Sequence, residues 1–295
     1  MKSRLSVILL TTALFQCELV SAEPLEAPSE DLYTQEDAEK MIRAGEGRLA
    51  PVYAPLAQQI VADFDLAEKQ GIGIDLGSGP GNLILELCKG TKLHWVNADI
   101  NPHFFSHFFE EARKAGVAHR VSAIFADAHR LPFRDNYAEI VVSRGSFQFW
   151  DDKPRAFAEI YRVLKRGGVA YVGRGMARAF PVETARAIRD GQKGDKVLDY
   201  DPEETVRELE KALREAGVSD FGIECPKPGG VEDIHYGVWV TIRKPAESGA
   251  WDGHTGPPLR LPAQRVLCPF EILQSSRFFP MASPTCSTDS MNRRR

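Results

Sequence analysis

The residues of this chain best placed to do chemistry begin at Gly71-Ile72-Gly73-Ile74-Asp75-Leu76-Gly77-Ser78-Gly79-Pro80-Gly81-Asn82-Leu83. Ile72, Ile74 and Leu76 have the β-type pattern of a buried strand. Gly77, Gly79 and Gly81 then permit a turn in which backbone N–H groups approach a ligand without Cβ interference. Pro80 suits the first turn of the helix that follows, where its missing donor costs nothing. Asp75, at the strand end, departs from a plain phosphate loop: a carboxylate there repels a pyrophosphate and attracts an ammonium or a sulfonium. Further on, Asp99 follows the run Val96-Asn97-Ala98 and falls at the carboxyl end of a second strand. A carboxylate in that position accepts both hydrogen bonds of a ribose diol.

The elements that must position these residues follow from an alternation of short apolar runs and helical ones, the mark of a mostly parallel sheet covered on both faces. The expected fold is α/β and doubly wound, with seven strands. Strands are predicted near Ile72 to Leu76, Leu93 to Ala98, Val121 to Phe125, Glu139 to Ser143, Val169 to Val172, Phe221 to Cys225 and Tyr236 to Arg243. The alternation in the last of these reads as a strand at a sheet margin. Helices are expected near Gly81 to Cys88, Pro102 to Ala115, Lys153 to Leu164 and Val182 to Asp190. A further one, Asp201 to Ala216, has Asp201 as N-cap, Pro202 at N1 and Gly217 as its stop. Ahead of the first strand, Thr34 with Asp37 three residues on has the form of a capping box. It opens helices near Asp37 to Ile42 and Tyr53 to Phe64, broken at Gly45, Gly47 and Pro51, which suit a lid.

With 295 residues, 43% of them hydrophobic, the chain has room for one sizeable α/β domain with additions. We divide it into an apolar leader (1–22), a Pro/Glu-rich linker (23–30), a helical cap (31–70), the main domain (71–244) and a disordered tail rich in Pro, Ser, Thr and Arg (245–295). The formal charge of −4 offers no electrostatic footprint for nucleic acid. Lys2 and Arg4, the run Leu5 to Leu14 and the small residues before Glu23 fit a secretory signal peptide, too short for a membrane span. The five cysteines have neither metal nor redox spacing, so no metal site is expected.

Five motifs in order carry a resemblance to the class I S-adenosylmethionine-dependent methyltransferases, in the type 11, UbiE-like small-molecule branch. They are Ile74 to Gly81; Asp99; Ala126-Asp127-Ala128-His129-Arg130-Leu131-Pro132-Phe133; the fourth strand into Ser143; and Ile160-Tyr161-Arg162-Val163-Leu164-Lys165-Arg166-Gly167-Gly168. The resemblance spans roughly Gly71 to Lys244 and implies a Rossmann-like, mostly parallel seven-stranded sheet whose last strand is antiparallel. It implies S-adenosylmethionine as cofactor, held by Asp75, Gly77, Ser78, Gly79, Gly81, Asp99, Ile100, Asp127, Ala128 and Ser143. In this scheme Asp75 sits near the cofactor's amino group, and Asp127 with the Ala128 N–H meets the adenine. Such a cofactor places the enzyme in the cytoplasm, an expectation that competes with the leader.

The acceptor side is a small-molecule site at the exit of the fourth strand, where open α/β sheets place ligands. Arg144 and Arg174 are candidates for an anionic group, and Phe147, Phe149 and Trp150 for an apolar wall, with packing in the core as the competing role for each aromatic. Displacement at an activated methyl group depends chiefly on positioning, and His129 and Arg144 are the candidates for any catalytic role. His103 and His107 are spaced i, i+4 without an accompanying acid motif and read as a solvated helix face. Two other functions compete. A nicotinamide-dependent oxidoreductase needs a G-x-G-x-x-G turn, which Gly77-x-Gly79-x-Gly81 is not. A non-catalytic binding protein on the same fold gains force if the leader exports the chain.

Overall fold

A computed structural model describes residues 33–190, 201–228 and 234–246. The leader, the linker and nearly all of the tail lie outside the described residues. Two helices, α1 (Gln35–Glu46) and α2 (Ala50–Asp63), precede the sheet. Strand and helix then alternate as β1 (Ile72–Leu76), α3 (Asn82–Gly90), β2 (His94–Asp99), α4 (Phe105–Lys114), β3 (Val121–Phe125), β4 (Ala138–Arg144), α5 (Lys153–Val163) and β5 (Leu164–Gly175). The domain closes with α6 (Val182–Asp190), α7 (Pro202–Glu215), β6 (Phe221–Glu224) and β7 (Gly237–Arg243). No helix among the described residues is long and apolar enough to cross a membrane.

The seven strands form one sheet in the order β3-β2-β1-β4-β5-β7-β6, with β7 antiparallel to both of its neighbours and the pairs from β3 to β5 parallel. The expected doubly wound sheet is therefore present, with one correction. The last strand lies inside the sheet, between β5 and β6, and four-residue β6 forms the margin. Val238 and Val240 are buried in the α5/α7 core and Trp239 in the core of the opposite face, with β6 paired along the outer side of β7, so the alternation seen in the sequence did not mark an edge.

Each face carries its own core. On one, α5 and α7 bring Phe157, Ile160, Leu209 and Leu213 onto Ile74, Leu76 and Val240. On the other, α2, α3 and α4 bring Leu56, Ile60, Ile84 and Phe108 onto Trp95, Tyr171 and Trp239. Tyr171 and Trp239 stack with centroids 4.6 Å apart, and Gly173 makes room, since a Cβ there would lie 2.4 Å from the indole. Gly45 falls inside α1 and Pro51 inside the first turn of α2, so the break between them is confined to Gly47–Leu49. The caps at Thr34 and Asp201 form as their sequences predict, Thr34 accepting from Asp37 N and Asp201 from Glu203 N and Glu204 N.

β5 is longer than expected and takes in the Gly167–Gly168 pair, where Gly167 (φ +77°) donates to Lys244 O and Lys244 N donates to Gly168 O. The Lys244 ammonium turns back to donate to the carbonyls of Tyr161, Arg162 and Leu164 at 2.9, 3.1 and 2.8 Å, satisfying the end of α5. Replacing it by Met strands those acceptors beneath a methylene chain of similar size. Lys244→Met is expected to cost about 1–3 kcal/mol of stability, read as a lowered urea midpoint at constant slope. An unchanged midpoint would show that water replaces the ammonium without loss.

Candidate active site

The site is built at the carboxyl ends of β1, β2 and β4. Leaving β1, the chain turns through Gly77 (φ +66°), Gly79 (φ +56°) and Gly81 (φ +80°), a left-handed series that only glycine adopts without strain. Gly77 and Gly81 are required sterically as well, because a Cβ would lie 2.4 Å from Ser146 Cβ and 2.2 Å from Phe108 Cδ2. A Cβ on Gly79 would lie 3.9 Å from Met41 of α1 and from Phe104, both ordinary contacts, so there the positive φ alone favours glycine.

Asp99 locks this loop to the end of β2. One oxygen accepts from Gly79 N at 2.7 Å and the other from Asn101 N at 2.8 Å. Burial pushes its pKa up, and the N–H groups of Asn101, Gly79 and Ile100 oppose the rise. With about four acceptor sites on a carboxylate, Asp99 keeps capacity for a further donor. Half-buried Ile100 follows directly, and Asn97, fully buried in β2, donates to Gly79 O at 3.1 Å. The loop is thus fastened from β2 at both its N–H and its C=O.

Asp75 is 2% exposed. Oδ2 accepts the Ser78 hydroxyl at 2.8 Å, while Oδ1, equally buried, has no partner among the described residues. Desolvation raises its pKa to about 7, with the nearby Asp99 charge adding to the rise and Ser78 and Arg144 opposing it. An orphaned buried acceptor of this kind fits a cation that the protein does not itself supply.

Asp127 follows β3 and is partly exposed. Its Oδ1 accepts from His129 N at 2.9 Å and pairs with His129 Nδ1 at 2.7 Å. His129 Nε2 accepts from Asp152 N at 3.2 Å, which places the ring proton on Nδ1 and leaves neither nitrogen available. The geometry thus speaks against His129 as a proton acceptor. Buried Ala128 lies between them.

Ser143 is turned inward: its hydroxyl donates to Leu76 O at 2.7 Å and meets Ser146 Oγ at 2.8 Å, so it braces β1 rather than facing the loop's open side. Phe147 and Trp150 enter the core, Trp150 edge-on to Phe157, and of the three aromatics only Phe149 is open to solvent, at 65%. Arg144 ends β4 and is half-buried, its guanidinium 5.5 Å from the Tyr53 ring centroid and Nε donating to Gly175 O at 3.2 Å. Arg174, near the end of β5, lies close enough to oppose its charge, as does Arg48.

The cap supplies what the motifs did not reveal. Gly45 of α1 rests on Asn82 and Pro80, and Thr34 O accepts from Asn101 Nδ2 at 3.3 Å. Tyr33 is near Asp127 and Asp99, whose charges together with burial raise its pKa. Tyr53 of α2 is in turn near Asp75 and Arg144. A glycine in a helical run and a tyrosine beside a cap were the available signals. His107 corrects another expectation: it is largely covered, with Nε2 3.5 Å from Glu46, where a solvated face was predicted.

The state of Asp75 has a measurable consequence. Between its unfolded pKa near 3.8 and the folded value of about 7, the folded protein holds a proton that the unfolded chain has released. Stability therefore falls as pH rises across that window. The cofactor-free protein should show this as a difference from Asp75→Asn, the variant gaining on wild type as pH rises, in melting temperatures taken across the window. A constant difference would mean that Asp75 is ionised when folded.

Residues 74–172 match the family model described as a methyltransferase domain. A ubiquinone/menaquinone biosynthesis C-methyltransferase of Vibrio cholerae is 35% identical over 97 residues, 32% of this chain and 37% of the relative. A chloroplastic 2-methyl-6-phytyl-1,4-hydroquinone methyltransferase of Arabidopsis thaliana is 35% identical over 107 residues, 36% of this chain and 30% of the relative. The chain thus spans about a third of the length of these curated relatives. The fold as a whole is similar to a crystal structure from Methanococcus maripaludis, provisionally assigned as an S-adenosyl-L-methionine-dependent methyltransferase, with TM-score 0.63 and 28% identity over 76% of this chain and all of that one. In the glycine loop and acids of its matched segment and in the strand order around them, the domain is similar to the class I S-adenosylmethionine-dependent methyltransferases.

Proposed function

We propose that the chain transfers a methyl group from S-adenosylmethionine to a small-molecule acceptor. The observation that carries this reading is the buried, unpartnered Oδ1 of Asp75 beside a left-handed glycine loop, a site lacking one cation. Asp75 would take the amino group of the methionine portion, and the spare acceptor capacity of Asp99 the ribose diol. Asp127, through the oxygen not spent on His129, and Ala128 N–H would meet the adenine. When bound, the cofactor would supply an activated methyl group on a positively charged sulfur, open to in-line displacement by the acceptor.

The chain's contribution is then positioning and exclusion of water. Asp99 fixes the loop, while α1 with Met41 and Gly45 closes over it. With both nitrogens of His129 spent, no dedicated base stands there, and the acceptor itself carries the nucleophilic lone pair. The Vibrio and Arabidopsis relatives are named for quinone and hydroquinone rings, but what they share with this chain is centred on the donor half. We extend from them the reaction and the class of acceptor, not the ring.

Titration calorimetry with S-adenosylhomocysteine tests the reading directly. Saturable binding at one site per chain is expected, weakened in Asp99→Ala by about 1–3 kcal/mol, or roughly 5- to 150-fold in Kd. Absence of saturable binding by the wild-type protein would refute the function.

A further inference from the structure

The carboxyl edge of the sheet is divided by charge. On β1, β2 and the turn after β3 stand Asp75, Asp99 and Asp127; on the neighbouring β4 and β5 stand Arg144 and Arg174. Arg144 and Gly173 are register partners, so the two arginines leave adjacent strands one residue apart in register. A cationic donor laid along the acidic half leaves the basic half for the molecule that receives the methyl group.

Arg144 is held as an anion receptor is held. Tyr53 lies against its guanidinium at 5.5 Å and Nε donates to Gly175 O, two contacts that fix the plane of the fork. That Nε bond is its one hydrogen bond to the described residues, so both terminal nitrogens remain unused by them, and no carboxylate among those residues forms an ion pair with it. Burial lowers the pKa of this half-buried guanidinium, Tyr53 and Asp75 attract it and Arg174 and Arg48 repel it, while its terminal nitrogens are left for an acceptor that the described residues do not supply. The planar pair of terminal N–H groups matches a carboxylate or a phosphate, which accepts from both at once.

We infer that the methyl acceptor carries a compact anionic group, a carboxylate or a phosphate, received by the terminal nitrogens of Arg144 at the β4–β5 end of the site. The inference rests on the methyl-transfer reading above. It makes Arg144 a residue that selects and orients the acceptor, with no part in moving a proton. It also gives α2 a role, because Tyr53 orients the receptor from the cap.

The test uses the full chain saturated with S-adenosylhomocysteine, titrated with benzoate, phenyl phosphate and neutral benzamide, with binding followed by calorimetry or ligand-observed NMR. At least one of the two anions should bind beside S-adenosylhomocysteine about tenfold or more tightly than benzamide, and which one does so separates carboxylate from phosphate. In Arg144→Gln that preference should disappear while S-adenosylhomocysteine still binds saturably at one site. Arg144→Lys, which keeps the charge and loses the fork, should retain part of the preference. The comparison among probes on the wild-type protein needs no substitution and stands even if the variants fail to fold. Equal binding of benzamide and both anions, or a preference undiminished in Arg144→Gln, would overturn the inference while leaving the cofactor reading intact. Displacement of S-adenosylhomocysteine by the anions would overturn it too, assigning Arg144 to the cofactor's own carboxylate. Failure of the wild-type protein to bind S-adenosylhomocysteine would overturn both readings.

Discussion

The carboxylate of Asp75, buried at the end of a central strand with one oxygen unpartnered, is the constraint from which the rest of the site takes its meaning. Burying an unpaired carboxylate is costly, and the protein meets the cost in part by raising the group's pKa to about 7. The sheet holds it there regardless: β1 is clamped between β2 and β4, and Ser143 grips the carbonyl of the residue beside it. Folding energy from two apolar cores thus maintains a polar deficit at the strand end. A cation that enters finds the acceptor already desolvated and oriented, the arrangement in which an ionic hydrogen bond contributes most.

The remaining parts serve that deficit in sequence. Asp99 fixes the glycine loop by one N–H and Asn97 by one C=O, so the loop is preformed rather than assembled around its ligand. α1 lies across the loop at Gly45, and α2 reaches the other half of the site with Tyr53. The division of charge along the sheet edge then distinguishes two kinds of ligand, a cationic donor over β1 to β3 and an anionic acceptor over β4 and β5.

Much of this was legible in the sequence because it is local. The glycine spacing, the acid two residues before it and the caps at Thr34 and Asp201 are decided within a few residues, and they form as read. What escaped depends on distant partners. The position of β7 inside the sheet follows from β6 pairing along its outer side, which no alternation within Tyr236 to Arg243 encodes. Ser143 sits at the expected strand end, yet Leu76 O claims its hydroxyl across the strand pair. His129 pairs with Asp127, but the backbone N–H of Asp152 uses the nitrogen a base would need. Arg144 was visible as a charge, whereas its fixed plane comes from a tyrosine in the cap.

The most direct measurement of the central claim counts protons. If the unpartnered Oδ1 of Asp75 awaits the ammonium of the methionine portion, cofactor binding must ionise a carboxyl that is partly protonated near pH 7. Calorimetric titration of S-adenosylhomocysteine in buffers of different ionisation heat should register a net release of about half a proton at that pH, absent in Asp75→Asn. Binding with no proton release by the wild-type protein would contradict the account.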